Sequence, residues 1–204
     1  MIDSYNLNGT RWARFSDDMT MRYGLGIAVS DRTVTSAMQA AALHMPRGSG
    51  ASGIEHWLGV GIVRIVWLML NPSTADAFRN DPTVTNCIKF TKAWGGDICE
   101  VVNLFSFRSP YPADIASRSM GDRGDDAIND GEILAACTGA YRVITAWGTD
   151  GALGNRDILV RRALAVPGIA QHHLGLTKGG YPKHPLARGK HRIPADQQPI
   201  PWAA

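Results

Sequence analysis

Several short polar clusters in this 204-residue chain have residue types that could do chemistry. The first is Asn71-Pro72-Ser73, with Asp76 and Asp81 just after it. Asn103 follows, with Arg108 beyond it, then Trp147-Gly148, and finally Lys178, Lys183 and His184 in a glycine- and proline-rich stretch. An asparagine amide offers both donors and an acceptor, so Asn71 or Asn103 can read the edge of a base or hold a water. Trp147 offers a flat surface to a base, together with the small residue Gly148. Arg108, Lys178, Lys183 and His184 suit phosphate. Asp76 or Asp81 could serve as a general base toward water. Each has a plainer reading. Asp81 precedes Pro82 and fits a helix N-cap. Asp76 fits an Asx-turn, and Trp147 fits a core. His172 and His173 alternate across a strand, so at most one of them faces a cleft.

These clusters follow apolar runs that must position them. The central one is Ile65-Val66-Trp67-Leu68-Met69-Leu70, short, branched and nearly uninterrupted. Such a run predicts a strand buried on both faces, as in parallel sheets. Pro72 cannot donate to a ladder, so the strand ends there. A helix is expected over 82–94, closed by Gly95-Gly96. Further strands are expected at 99–105, 141–147 and 171–175, with helices over 122–137 and 151–164 between them and a short helical turn near Asp114. The N-terminal 30 residues predict a β-hairpin on the edge of the main sheet, and 31–58 an insertion holding one short helix and a flexible Gly/Ser-rich loop. The tail from 187 to the C-terminus should be irregular. Strands alternating with helices predict a single α/β domain: a three-layer α/β/α sandwich with a central, mostly parallel four-stranded sheet plus the hairpin. Parallel strands would gather the polar clusters at one carboxyl edge, where open α/β sheets bind ligands.

Composition narrows the function classes. Hydrophobic residues make up 45% and charged residues 19%, as in an ordinary globular protein. Net charge is +3, too small to argue for nucleic acid by itself. The three cysteines are far apart and form no CxxC pair, so they read as buried thiols in a cytoplasmic protein rather than a metal site or disulfide framework. No apolar run reaches membrane-spanning length, and the N-terminus lacks a signal-peptide core. Neither GxGxxG nor GxxxxGK[ST] occurs, which removes the usual support for a dinucleotide or P-loop site. No cofactor and no metal is expected.

The segments LMLNPSTADA with NDPTVTNCIKF, EVVNLFSFRS, VITAWG and HHLGLTKGGYPKHPL occur in that order between Val66 and Leu186. Together they resemble the bacterial and phage family catalogued as domain of unknown function 1643. A more distant similarity is to the uracil-DNA glycosylase superfamily. The strand followed by Asn71-Pro72-Ser73 resembles a motif whose Asn positions the hydrolytic water in the mismatch-type enzymes. VVNLFSFRSPYP is similar to the strand-Asn…Arg-Pro segment of the iron–sulfur members, and VITAWG to the Leu-Leu-Trp-Gly strand of others. This chain departs from that pattern: Leu176-Thr177-Lys178 stands where a His-Pro-Ser triplet is usual, and the four cluster cysteines are absent.

The resemblance implies a glycosylase-like fold and an enzyme acting on a nucleobase N-glycosidic bond, in DNA or a nucleotide. Asn71 and Asp76 would be catalytic. Pro72, Ser73, Asn103, Trp147 and Gly148 would hold the base, and Arg108, Lys178, Lys183 and His184 the phosphates. Two other readings stand beside it: a non-catalytic binder of DNA or a modified base, and an enzyme on a small nucleotide or phosphorylated metabolite.

Overall fold

The computed structural model describes residues 1–5, 10–30 and 62–202; the insertion expected over 31–58 lies outside the described residues. In chain order the elements are β1 (Ile2–Tyr5), β2 (Arg11–Phe15), β3 (Arg22–Ala28), β4 (Arg64–Met69), α1 (Pro82–Ala93), β5 (Ile98–Asn103), α2 (Pro112–Ala116), α3 (Ala127–Cys137), β6 (Arg142–Thr145), α4 (Arg156–Ala165), β7 (Gln171–His173) and β8 (Ile200–Pro201). A 3-10 segment, Thr149–Asn155, precedes α4.

The sheet has eight strands among the described residues, in the order β1-β2-β3-β5-β4-β6-β7-β8, rather than the expected four. Its middle is parallel: β5, β4, β6 and β7 are neighbours running the same way. The difference arises at the edges. β3 pairs antiparallel with β5, placing Leu25 opposite Val101, so the hairpin lies on the sheet edge as expected, and β1 adds a further strand beside β2. At the other edge Ile200–Pro201, in the tail expected to be irregular, adds a two-residue antiparallel strand beside β7. A strand that short has no periodicity to read.

β4 is buried on both faces, as its unbroken apolar run requires. Ile65, Trp67 and Met69 point into a cluster with Val84, Cys87 and Phe90 of α1. Val66 and Leu68 point into the opposite cluster, with Ile133 and Ala136 of α3 and Val160 and Leu164 of α4. Helices thus cover both faces. α1 begins where Asp81 accepts from the Val84 amide at 2.8 Å and Pro82 takes the first turn. α3 begins at Ala127, later than the expected 122, because the Asp126 side chain caps it by accepting from the Asn129 amide. The helix expected over 151–164 is broken: Gly154 and Asn155 have φ of 62° and 57°, and only the part from Arg156 on is α-helical. All three cysteines are buried, and burial pushes the Cys99 thiol up to about 12. No helix among the described residues is long and apolar enough to cross a membrane.

Candidate functional site

Strands β4, β5 and β6 end side by side, and the segments after them surround a cavity of about 440 Å³. Asn71, Ser73, Asn103, Trp147, Gly148 and His184 all line it. Strand order brings them together, since β4 lies between β5 and β6. The 175–184 segment is drawn in by the Gly148 amide, which donates to the Pro182 carbonyl at 3.0 Å.

Asn71 is held by partners of a single polarity. Its Nδ2 donates to the Ser109 carbonyl at 2.9 Å and to the Pro72 carbonyl at 3.1 Å. Carbonyls only accept, so the amide orientation is fixed and Oδ1 is turned away from them, with no described donor on it. Asn103 is fixed the opposite way. Its Oδ1 accepts from Arg22 Nη2 at 3.3 Å, and a guanidinium only donates. Its Nδ2 therefore faces elsewhere, with no described acceptor. One cavity thus carries an amide acceptor from Asn71 and an amide donor from Asn103.

Asp81 and His184 complete the far wall. Asp81 is 9% exposed and caps α1 through Oδ1. The plain helix-cap reading holds, and the same carboxylate also faces the cavity. His184 Nδ1 accepts from the Leu186 amide at 3.1 Å, so a neutral ring has its proton on Nε2. Burial pushes this imidazole below its usual range, against the opposing pull of the Asp81 charge. Asp81→Asn separates cap from charge, because Asn caps about as well as Asp. Its midpoint in urea should stay within about 0.5 kcal/mol of wild type, while any turnover that uses the carboxylate should fall by about 10-fold or more. Unchanged turnover in a variant of wild-type stability would reduce Asp81 to a cap.

Trp147 lies at the cavity wall with only 2% of its surface exposed, and its indole Nε1 is buried with no described partner. The 3-10 segment can cross it because residue 151 is glycine: a Cβ there would sit 2.1 Å from Trp147 Cδ1. Gly148 has φ 75° and ψ −162°, a backbone region nearly closed to other residues. Nothing lies within 4 Å of a Cβ built there, so the cost of Gly148→Ala is backbone strain alone. We expect that substitution to lower unfolding free energy by about 1–3 kcal/mol and to loosen the Pro182 tie. An unchanged denaturation midpoint would show that the turn relaxes freely.

Other expected site residues stand elsewhere. Pro72 is buried, and its carbonyl is taken by the Ser109 amide and Asn71. Asp76 does not line the cavity; its Oδ1 accepts from the amides of Phe78 and Arg79 at 2.8 and 2.9 Å and closes a turn. Arg108 turns to the N-terminal hairpin, donating to the Met19 carbonyl and lying over the Phe15 ring. Lys178 is exposed in the 177–180 turn, and Lys183 runs along Gly175. The basic residues expected to hold phosphate are thus not gathered at the cavity, apart from His184. Neither His172 nor His173 lines it.

Polar lining residues that were not expected include Arg22, Thr83, Ser109 and Asp150. Arg22 is the most unusual, 2% exposed and without an ion pair among the described residues. Its only sequence signal is a cation between Met21 and Tyr23 in an otherwise apolar strand. Among the described residues, no group of three or more His, Cys, Asp or Glu gathers as a metal site would need.

Residues 57–186 match a family model described as Protein of unknown function (DUF1643). The matched stretch contains Asn71, Asp81, Asn103, Trp147 and His184, and excludes Arg22. No curated protein and no solved structure matches the chain.

Proposed function

The chain belongs to the family described as Protein of unknown function (DUF1643), and we propose that its cavity hydrolyses the N-glycosidic bond of a nucleobase, in DNA or in a nucleotide. The observation that carries this reading is the pair of oppositely fixed amides, Asn71 and Asn103, in one cavity at the carboxyl edge of the parallel strands. Cleaving such a bond builds positive charge on the sugar and negative charge on the base, and water must meet the anomeric carbon. Asn71 Oδ1 accepts a hydrogen bond from that water and orients it. Asp81, in place of Asp76, supplies negative charge near the sugar. The bond from the anomeric carbon to the base breaks with its electron pair going to the base, and the water's proton passes to Asp81 or to solvent. Asn103 Nδ2 and His184 Nε2–H donate to the departing base, and Trp147 walls it in. A base within a duplex would have to leave the stack to reach this edge.

The test is incubation of the purified protein with single- and double-stranded DNA and with free nucleotides carrying normal, deaminated and hypermodified bases. Released base is scored by mass spectrometry. Release from any of them that is lost in Asn71→Ala supports the reading; no release from all of them removes it.

A second reading, an enzyme on a small nucleotide or phosphorylated metabolite, is favoured by one observation. Arg108, Lys178 and Lys183 stand off the cavity and offer no continuous track for a DNA backbone. Salt separates this reading from action on DNA, because binding that neutralises several phosphates weakens steeply as salt rises.

A further inference from the structure

We propose that Arg22 is the receptor for an oxyanionic group, a phosphate or a carboxylate, at the floor of this cavity. The inference goes beyond base hydrolysis: the anion site would exist whatever bond is broken.

Its basis is a buried cation that makes no ion pair among the described residues. Arg22 comes from β3, in the hairpin outside the family-matched stretch, and reaches the cavity because β3 pairs with β5. Its guanidinium donates from Nη1 to the Ala75 carbonyl at 2.7 Å and from Nη2 to Asn103 Oδ1 at 3.3 Å. Both partners are neutral. Nε is buried with no described partner. The charged groups that face it are Asp81, Asp76 and Arg108. Neither carboxylate forms an ion pair with it, and each has one oxygen committed to backbone amides. Burial lowers the guanidinium to about 10, so it stays charged at neutral pH. Asp81 and Asp76 compensate the buried charge only from a distance, and a bound anion in direct contact would complete the compensation.

The surroundings add donors. The N-terminal turn of α1, twelve residues long, lines the same cavity through Thr83 and Val84, bringing the positive end of a helix dipole. Asp81 caps this same helix and its charge acts on Arg22, so it opposes the anion that Arg22 attracts, while Asp150 and Asn71 Oδ1 are further acceptors on the lining.

The experiment is a proton–nitrogen NMR titration of the whole protein with inorganic phosphate and, separately, with acetate, each against sodium chloride at matched ionic strength. The signals followed are Arg22 Nε–H and the Trp147 indole N–H. A saturable shift of both with phosphate, acetate or the two anions supports the proposal. Phosphate alone would indicate a phosphorylated ligand, and acetate alone a carboxylate. Arg22→Lys should weaken binding by about tenfold, because an ammonium cannot reproduce the planar fork. Asn103→Asp is nearly isosteric and sets a carboxylate against Arg22, so it should fold and lose the anion. No saturable shift with either anion, or unchanged binding in a folded Asn103→Asp protein, overturns the proposal. Base release is scored separately: anion binding without release would leave this site standing and remove the glycosylase reading alone.

Discussion

Asn71→Ala is expected to lower the single-turnover rate of base release by about 100-fold or more, the scale of loss when a group that positions a reactant is removed. The effect should be large because the side chain has no freedom to be replaced by a neighbour. Its amide nitrogen is spent on the Ser109 and Pro72 carbonyls, which aims the oxygen. Losing those two bonds should also cost about 1–3 kcal/mol of stability, so a second variant is needed. Asn71→Asp keeps an oxygen toward the cavity but sets a carboxylate oxygen against two carbonyls. It should therefore lose most of the rate as well, through misplacement. Release at the wild-type rate in Asn71→Ala, measured by quenched-flow with mass spectrometry, would show that Asn71 only fastens the 106–112 segment to the end of β4.

Trp67→Ala should destabilise the fold by about 3–5 kcal/mol, enough to unfold a marginal domain near body temperature. Trp67 has no exposed surface and sits at the centre of β4. Its ring stacks on Trp94 with centroids 5.5 Å apart and lies 6.1 Å from Phe90. Its Nε1 donates to Thr91 Oγ1 at 3.0 Å, so truncation leaves both a cavity and a buried hydroxyl without that donor. Trp94 in turn donates to the Gln197 carbonyl, so the loss should spread to the C-terminal segment beside β8. Urea denaturation measures the cost, and hydrogen exchange at 197–202 the spread. A change below about 1 kcal/mol would mean that Phe90 and Trp94 collapse into the space, against the usual behaviour of a packed core.

The elements of the parallel centre were legible in the chain for local reasons. β4 is an apolar run ended by a proline, and α1 has Asp81 and Pro82 at one end and Gly95 at the other. Where local signals were weak or absent, expectation and fold part. Asn155 in a left-handed conformation breaks the helix before α4, although nothing in the apolar pattern marks a break. Ile200–Pro201 becomes a strand only because β7 offers it an edge.

The site divides in the same way. The sequence by itself determined that Asn71, Asn103 and Trp147-Gly148 stand at or near the ends of buried strands, because hydrophobic runs and their breakers are local properties of the chain. That the strands are neighbours, and so place these residues in one cavity, was decided by pairing between segments about 35 to 80 residues apart, which no local pattern records. Tertiary structure alone also decided which charges reach the cavity. Arg108 is drawn to the Met19 carbonyl and the Phe15 ring, Asp76 is consumed by its own turn, and Arg22 arrives from a hairpin across the β3–β5 pairing. A polar side chain's direction is set by the partner that satisfies it, and for these residues the partner is a backbone group, a ring or a sheet edge brought near only when the chain folds.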